Sequence, residues 1–370
     1  MITFELVDQL YLVILFVNQK LLMQSSLNIT AFVSLCLTLV SCQETTQRQV
    51  TADEPSAATS PSSVMAGLDA WKILLGNGDS QKELTGFTHE DYFFTARDEV
   101  SWVVYKAPNG GITSPNSHNT RTELGQKKRW TPAEGGKLTG TLKVQHVSTS
   151  GDARVAASYS VVVGQIHSED GHKNEPLKIF YKKFPGHAKG SVFWNYEINP
   201  AGEDNSGRWD YSTAVWGYDM STVGEAPDKY PAEPAEGIEL GEEFSYAVNV
   251  YRGIMHLTFK SEGHPTKTFS KNLLTSDFAS KADRPDQITT LYAGLGRDGI
   301  ERPNAYKGEK QFFKQGAYNQ TNGRAPATNM VWSTGANTYG GDAAIQYANG
   351  SYTEVWYRES SLGDGTPPTK

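Results

Sequence analysis

Three short stretches of the chain hold side chains whose types and spacing answer one chemical problem. Thr120–Leu124 reads Thr-Arg-Thr-Glu-Leu, so an extended backbone puts Arg121 and Glu123 on one face and Thr122 and Leu124 on the other. In Val155–His167 the odd positions run from Val155 through Val161 and Val163 to Gln165 and His167, which project together at the end of a hydrophobic run. In Gln311–Gln320, Lys314, Gly316, Tyr318 and Gln320 alternate with Phe313, Gln315, Ala317 and Asn319. A chain of uronic acids can be cut by taking the proton at C5, α to the carboxylate, and expelling the C4 oxygen. The ionised carboxylate makes that proton very weakly acidic. Arg121 and Gln165 can bind and neutralise the carboxylate and stabilise the enediolate that develops. His167 titrates in the range of a general base near neutral pH. Tyr318 can protonate the leaving oxygen, or take the C5 proton if cations such as Lys314 lower its own pKa. Glu123 would fix Arg121 in position. Taken singly, each stretch has a plainer explanation: a salt-bridged pair on a solvated sheet, a structural histidine, a packing tyrosine. This chemistry requires no metal and no cofactor.

These side chains act together only if strands bring them together, and past residue 64 the chain reads as strands. Apolar residues recur with a period of two in Val100–Lys106, Lys137–His146, Arg154–His167, Leu177–Phe184, Ser191–Ile198, Phe244–Phe259, Ile288–Leu295, Lys310–Gln320 and Thr353–Glu359. Val, Tyr, Phe, Thr and Trp fill them, and Gly, Pro, Asn and Asp separate them. No long amphipathic helical stripe interrupts them; Phe278–Ala282 reads as one short turn. The polar, Pro-containing stretch Pro200–Glu243 reads as loops over one rim. With no repeat and no composition break, the expectation is one all-β domain over residues 64–365. Its two antiparallel sheets would form a sandwich or jelly roll, with a concave face able to cradle a polymer.

Arg121-Thr-Glu-Leu124, Gln165-Ile-His167 and Phe313-Lys-Gln-Gly-Ala-Tyr-Asn-Gln320 resemble, in order and at compatible spacing, the three signature blocks of polysaccharide lyase family 7, the alginate lyases. Ala70–Leu75 and Lys106-Ala-Pro108 look like that family's opening strands, so the resemblance spans roughly residues 64–360. It implies a β-jelly roll and β-elimination on alginate, a copolymer of mannuronate and guluronate, leaving a 4,5-unsaturated uronate end. It also implies a catalytic set of Arg121, Gln165, His167 and Tyr318, with Glu123, Lys314 and Gln320 as binding and supporting positions. In this family His neutralises the carboxylate or acts as base, depending on the uronate, and Tyr can make both proton transfers when hydrogen and leaving group share a side. Ile166 between Gln165 and His167 is associated with guluronate-containing blocks. One departure is Gly125, where the first block often continues to a second Arg; Lys127, Lys128 and Arg129 follow and can partly replace the charge.

The rest of the chain narrows the alternatives. It carries 34 Lys+Arg against 41 Asp+Glu, a net charge of −7, which argues against a nucleic-acid binder. Both cysteines, Cys36 and Cys42, lie in the N-terminal apolar region, so the body has no disulfide framework and no thiol nucleophile. Apolar runs at Leu10–Val17 and Ala31–Val40 are too short to span a membrane. Leu39-Val40-Ser41-Cys42 resembles a bacterial lipobox, which implies a signal peptide over residues 1–42, starting at Met1 or Met23, and a lipid on Cys42. A plain cleaved signal peptide is the alternative. Residues 43–63 read as a flexible tether. The expected product is a secreted or outer-membrane lipoprotein of a bacterium, monomeric, meeting membrane only through that anchor. Gly294-Leu-Gly296-Arg-Asp-Gly299 matches a dinucleotide fingerprint but opens no helix, and His167–His172 has no metal-ligand spacing. Lys178, Lys182, Lys183 and Lys189 either line a polyanion groove or are ordinary solvated lysines. The competing readings are a lyase of the same fold on another polyuronate such as glucuronan, and a binding module using Trp194, Tyr196 and Trp216 as sugar platforms. A glycoside hydrolase would need two opposed carboxylates, and no such pair stands out.

Overall fold

The computed structural model describes residues 60–113, 117–169, 175–198, 209–274, 306, 308–326 and 331–368, all within the unit Ala57–Lys370. Cys42, His172, Phe278–Ala282, Ile288–Leu295 and the Gly294–Gly299 motif lie outside them. The strands are β1 (Trp71–Leu74), β2 (Ser80–Gln81), β3 (Phe93–Arg97), β4 (Ser101–Pro108), β5 (Arg121–Gln126), β6 (Gly136–His146), β7 (Ser160–Ser168) and β8 (Leu177–Lys182). They continue as β9 (Lys189–Ile198), β10 (Trp209–Trp216), β11 (Ile238–Glu239), β12 (Glu243–Tyr251), β13 (Ile254–Ser261), β14 (Lys267–Asn272), β15 (Gln311–Asn319) and β16 (Tyr352–Gly363). A nine-stranded sheet runs β10-β9-β8-β7-β15-β5-β1-β2, with β11 on β9, and a seven-stranded sheet runs β14-β13-β12-β6-β16-β4-β3. Every pairing is antiparallel. The jelly-roll sandwich expected from the strand pattern is the fold observed.

The two sheets differ in what covers them. In the seven-stranded sheet β12 and the first half of β16 alternate between buried and half-buried residues, because one face packs inward and the other meets water. Val103, Tyr105, Leu138, Leu142, Tyr246, Val248, Val355 and Tyr357 form its side of the core, and Leu124, Val161, Val163, Ile166, Ile179, Phe313 and Ala317 the other. In the nine-stranded sheet β5 and β8 are buried on both faces. For β8 a second apolar cluster explains this: Val162, Phe180 and Phe193 on the sheet's outer face are covered by Ala156, Ala157, Met220 and Val331, with Val223 and Trp332 packed against them.

Three expectations needed correction. Pro200–Glu243 is not all loop: Trp209–Trp216 is a strand paired to β9, with Tyr211 and Val215 in the core, and most of the Pro and acidic residues follow it. Phe244–Phe259 is not one strand but the hairpin β12–β13, turned by Arg252 (φ 50°) and Gly253 (φ 79°), the two positive φ values that a tight two-residue turn between twisted strands requires. In Arg154–His167 the strand begins at Ser160, after Tyr159 with φ 60°. There the simple alternation also fails. A bulge against β8 between Val162 and Gly164 inserts one residue. Val161 and Val163 therefore face the core, while Gln165 and His167 emerge on the opposite side.

Candidate active site

The outer face of the nine-stranded sheet is built as cross-strand rows. One row reads Asn195, Lys178, Gln165, Lys314, Gly125 from β9 to β5; the next reads Phe193, Phe180, Val162, Tyr318, Arg121. Between them Glu123 lies opposite Gly316, whose φ of 144° and 2.5 Å approach of a notional Cβ to the Thr122 carbonyl oxygen leave room for glycine alone. His167 pairs with Phe312 one row further. Arg121, Glu123, Gln165, His167, Lys314 and Tyr318, separated in sequence by up to nearly two hundred residues, thus converge because β15 inserts between β5 and β7.

Glu123 organises the group. Its Oε2 accepts from Lys314 Nζ at 3.0 Å and from Arg121 Nη1 at 3.4 Å, and its Oε1 accepts from Gln165 Nε2. Burial pushes its carboxyl pKa up, but Lys314 and Arg121 outweigh that and hold it below the ordinary value. The Arg121 guanidinium carbon lies 3.6 Å from the centroid of the Tyr318 ring, and its Nη2 donates to Ser117 Oγ at 2.7 Å. Ser117 Oγ stands 3.5 Å from the Tyr318 hydroxyl. Among the described residues, Arg121 Nε and Gln165 Oε1 are buried with no protein partner. Both atoms keep hydrogen-bonding capacity that the protein itself does not use.

The His167 ring lies 5.2 Å from that of Phe312, tilted by 33°, and its Nδ1 lies 2.6 Å from the Ser168 carbonyl oxygen. Burial first, then Lys314, lower its pKa from 6.5 to about 4, so the ring is neutral at neutral pH. Gln320 lies just past the end of β15, buried, with Nε2 donating to the Tyr318 carbonyl oxygen at 3.3 Å.

Several residues at the site escaped the sequence reading. Glu197 follows Phe193 and Asn195 on the outer face of β9 and pairs with Lys178 at 2.7 Å; its alternation was the available signal. Glu175, at the entry to β8, pairs with Lys178 at 3.3 Å and approaches His167 Nε2 to 3.5 Å; no periodicity marks it. Lys178 and Lys182 are not solvated: both are buried, the first held by these carboxylates, the second donating to the carbonyls of Ala156 and Thr222. The sequence expectation for Gly125 also changes. Lys127, Lys128 and Arg129 pair with Glu83, Asp364 and Glu169, whereas the Lys72 stem lies 3.7 Å from where a Cβ on Gly125 would sit. Gly125 thus has a lysine opposite it on each side, Lys72 on β1 and Lys314 on β15. Trp194, Tyr196 and Trp216 are core residues and offer no sugar platform.

Residues 66–363 match the family model described as alginate lyase. This chain belongs to the alginate lyase family. It is similar to an exolytic family 7 alginate lyase from Zobellia galactanivorans, whose crystal structure superposes with a TM-score of 0.80 at 67% identity, covering 84% of this chain and 99% of that one. An alginate lyase from Klebsiella pneumoniae is 29% identical over 276 residues, 66% of this chain and 77% of its own. A crystal structure of a Klebsiella pneumoniae alginate lyase shares the fold, with a TM-score of 0.58 at 21% identity over 83% of this chain and 99% of that one. The lyase described here is thus a polysaccharide lyase with the family's jelly roll.

Proposed function

We propose that this lyase cleaves alginate by β-elimination, with its own side chains supplying all the charge stabilisation the step needs. The observation that carries this reading is the convergence of Arg121, Gln165, His167 and Tyr318 around the Glu123–Lys314 pair. The uronate carboxylate is held by Arg121 and the remaining Gln165 N–H, so charge moving onto it from C5 is met by donors already in position. A base removes the C5 proton, the electron pair forms the C4=C5 double bond, and the C4–O bond breaks. Tyr318 gives its phenolic proton to the departing oxygen, with Arg121 against its ring favouring the negative charge left behind. Where hydrogen and leaving group lie on one face, Tyr318 serves both transfers. Where they lie on opposite faces, His167 takes the proton. Ile166 supports a lean toward guluronate-containing blocks.

Attack at chain ends belongs to the same proposal. The exolytic relative supports it, and so does the apolar cluster of Val162, Phe180, Met220 and Val331, against which Tyr318 packs, a wall on one side of the acid. Residues 1–42, with the lipobox-like Cys42, are proposed as the signal that exports the enzyme and anchors it by lipid in the outer membrane.

Purified residues 43–370 mixed separately with polymannuronate and polyguluronate test the reading. Ultraviolet absorbance is expected to rise as unsaturated ends form, with small products early and little early loss of viscosity. A flat trace with new reducing ends would mean hydrolysis; a flat trace with none would mean another polyuronate.

The low pKa of His167 sets a pH dependence. On polyguluronate the acid limb of kcat/KM, which reports the free enzyme, is expected near pH 4 and not near 6.5. Between those values the unfolded chain binds a proton that the folded one refuses, so stability also falls as pH drops through that window. An inflection near 6.5 that disappears in His167→Asn would contradict this.

A further inference from the structure

The Ser168 carbonyl oxygen can only accept, so the 2.6 Å contact puts the His167 ring proton on Nδ1. Nε2 of the neutral ring is then an acceptor, and it faces another acceptor: Oε1 of Glu175, 3.5 Å away. Two acceptors at that distance have nothing to share until a proton arrives. When one does, the pair becomes an imidazolium beside a carboxylate. Glu175 is held for this by its other oxygen, 3.3 Å from the buried Lys178, which Glu197 holds in turn at 2.7 Å.

We propose that Glu175 is a positioning residue that makes His167 an effective base and thereby tunes the enzyme toward guluronate. The proposal rests on the elimination reading above. Guluronate and mannuronate differ only in configuration at C5. In mannuronate the C5 hydrogen and the C4 oxygen lie on the same ring face, so Tyr318 can serve both. In guluronate they lie on opposite faces, and a second group across the ring must take the proton. That group is His167 Nε2. The C5–H bond breaks as N–H forms, its electron pair becomes the C4=C5 double bond, the C4–O bond breaks, and Tyr318 protonates the oxygen. The imidazolium and phenolate then return to neutral by proton exchange with solvent. Lys314 from β15 and Arg121 from β5 both oppose a charged His167; Glu175 from the β8 entry favours it, and Phe312 beneath the ring is neutral. Glu175 therefore acts where charge appears only on the way to the transition state, which is where an interaction raises kcat.

The test compares wild type, Glu175→Gln, Glu175→Asp, His167→Asn and the Glu175→Gln/His167→Asn double variant on polyguluronate and polymannuronate. Glu175→Gln is expected to lower the guluronate-to-mannuronate ratio of kcat by about tenfold or more, within the range that general-base assistance supplies. It should move the acid limb of kcat/KM on polyguluronate to lower pH, with Glu175→Asp recovering much of the ratio and the double variant no worse on polyguluronate than His167→Asn alone. Equal losses on both polymers with an unmoved acid limb, or losses that multiply in the double variant, would overturn the proposal and leave Glu175 a structural anchor. If Glu175→Gln does not fold, Glu175→Asp decides by the same ratio and limb. Absence of unsaturated product from wild type on either polymer would instead sink the elimination reading.

Discussion

Tyr318→Phe is expected to abolish turnover, by about 10³-fold or more, while polymer binding and thermal stability stay nearly unchanged. The substitution removes one oxygen and nothing else. The ring remains against the apolar cluster that holds Val162 and under the Arg121 guanidinium. The hydroxyl's contact with Ser117, at 3.5 Å, is too long to contribute much to folding. On the proposed mechanism, what disappears is the proton for the leaving oxygen and, on mannuronate, the base as well. The loss should therefore be at least as severe on polymannuronate as on polyguluronate. Initial rates of ultraviolet absorbance, calorimetric binding of oligouronates and a melting curve check the three parts. Turnover surviving within tenfold of wild type would show that another group donates the proton.

Glu123→Ala has the second large expected effect, and it falls on stability as well as activity. Glu123 is 3% exposed and is the shared partner of Arg121, Lys314 and Gln165. Removing it leaves two cations close together and a buried amide without its acceptor. Breaking a buried ion pair from one side costs about 3–5 kcal/mol, because the orphaned charge stays out of water. Denaturant unfolding should show that loss, and turnover should fall with it as Arg121 is released from its position. Adding Lys314→Met is expected to recover part of the stability but not the activity, since it removes one stranded charge and restores no alignment. A Glu123→Ala variant as stable as wild type would mean that water or counter-ions already satisfy the two cations.

Local pattern read much of the architecture correctly, and its failures have physical causes. Period-two alternation found β4, β6, β8, β9, β15 and β16 because successive side chains of a strand point to opposite faces of its sheet. It merged β12 and β13 because Arg252-Gly253 interrupts the apolar period for just two residues, and the positive φ values that turn the chain are conformations, not residue types. It hid β10 because Trp209–Trp216 stands among acids and prolines that pull the average toward loop. In β7 it assigned Gln165 and His167 to the face of Val161 and Val163. The bulge reverses that, and a bulge belongs to the pairing with β8, which no single strand encodes.

What the sequence by itself determined is the set of candidate groups: an arginine with a glutamate two residues on, a glutamine with a histidine two residues on, and a lysine with a tyrosine four residues on, each on a strand. Residue type and short spacing suffice for that, because which atoms a side chain can donate, accept or titrate is set by its residue type. What only the tertiary structure decided is which groups face one another. The insertion of β15 between β5 and β7 seats Lys314 beside Gln165 and Tyr318 beside Arg121, and the entry to β8 brings Glu175 to Nε2 of His167. Those contacts are set by hydrogen-bond register between strands far apart in the chain, and register is fixed by packing of the whole sheet.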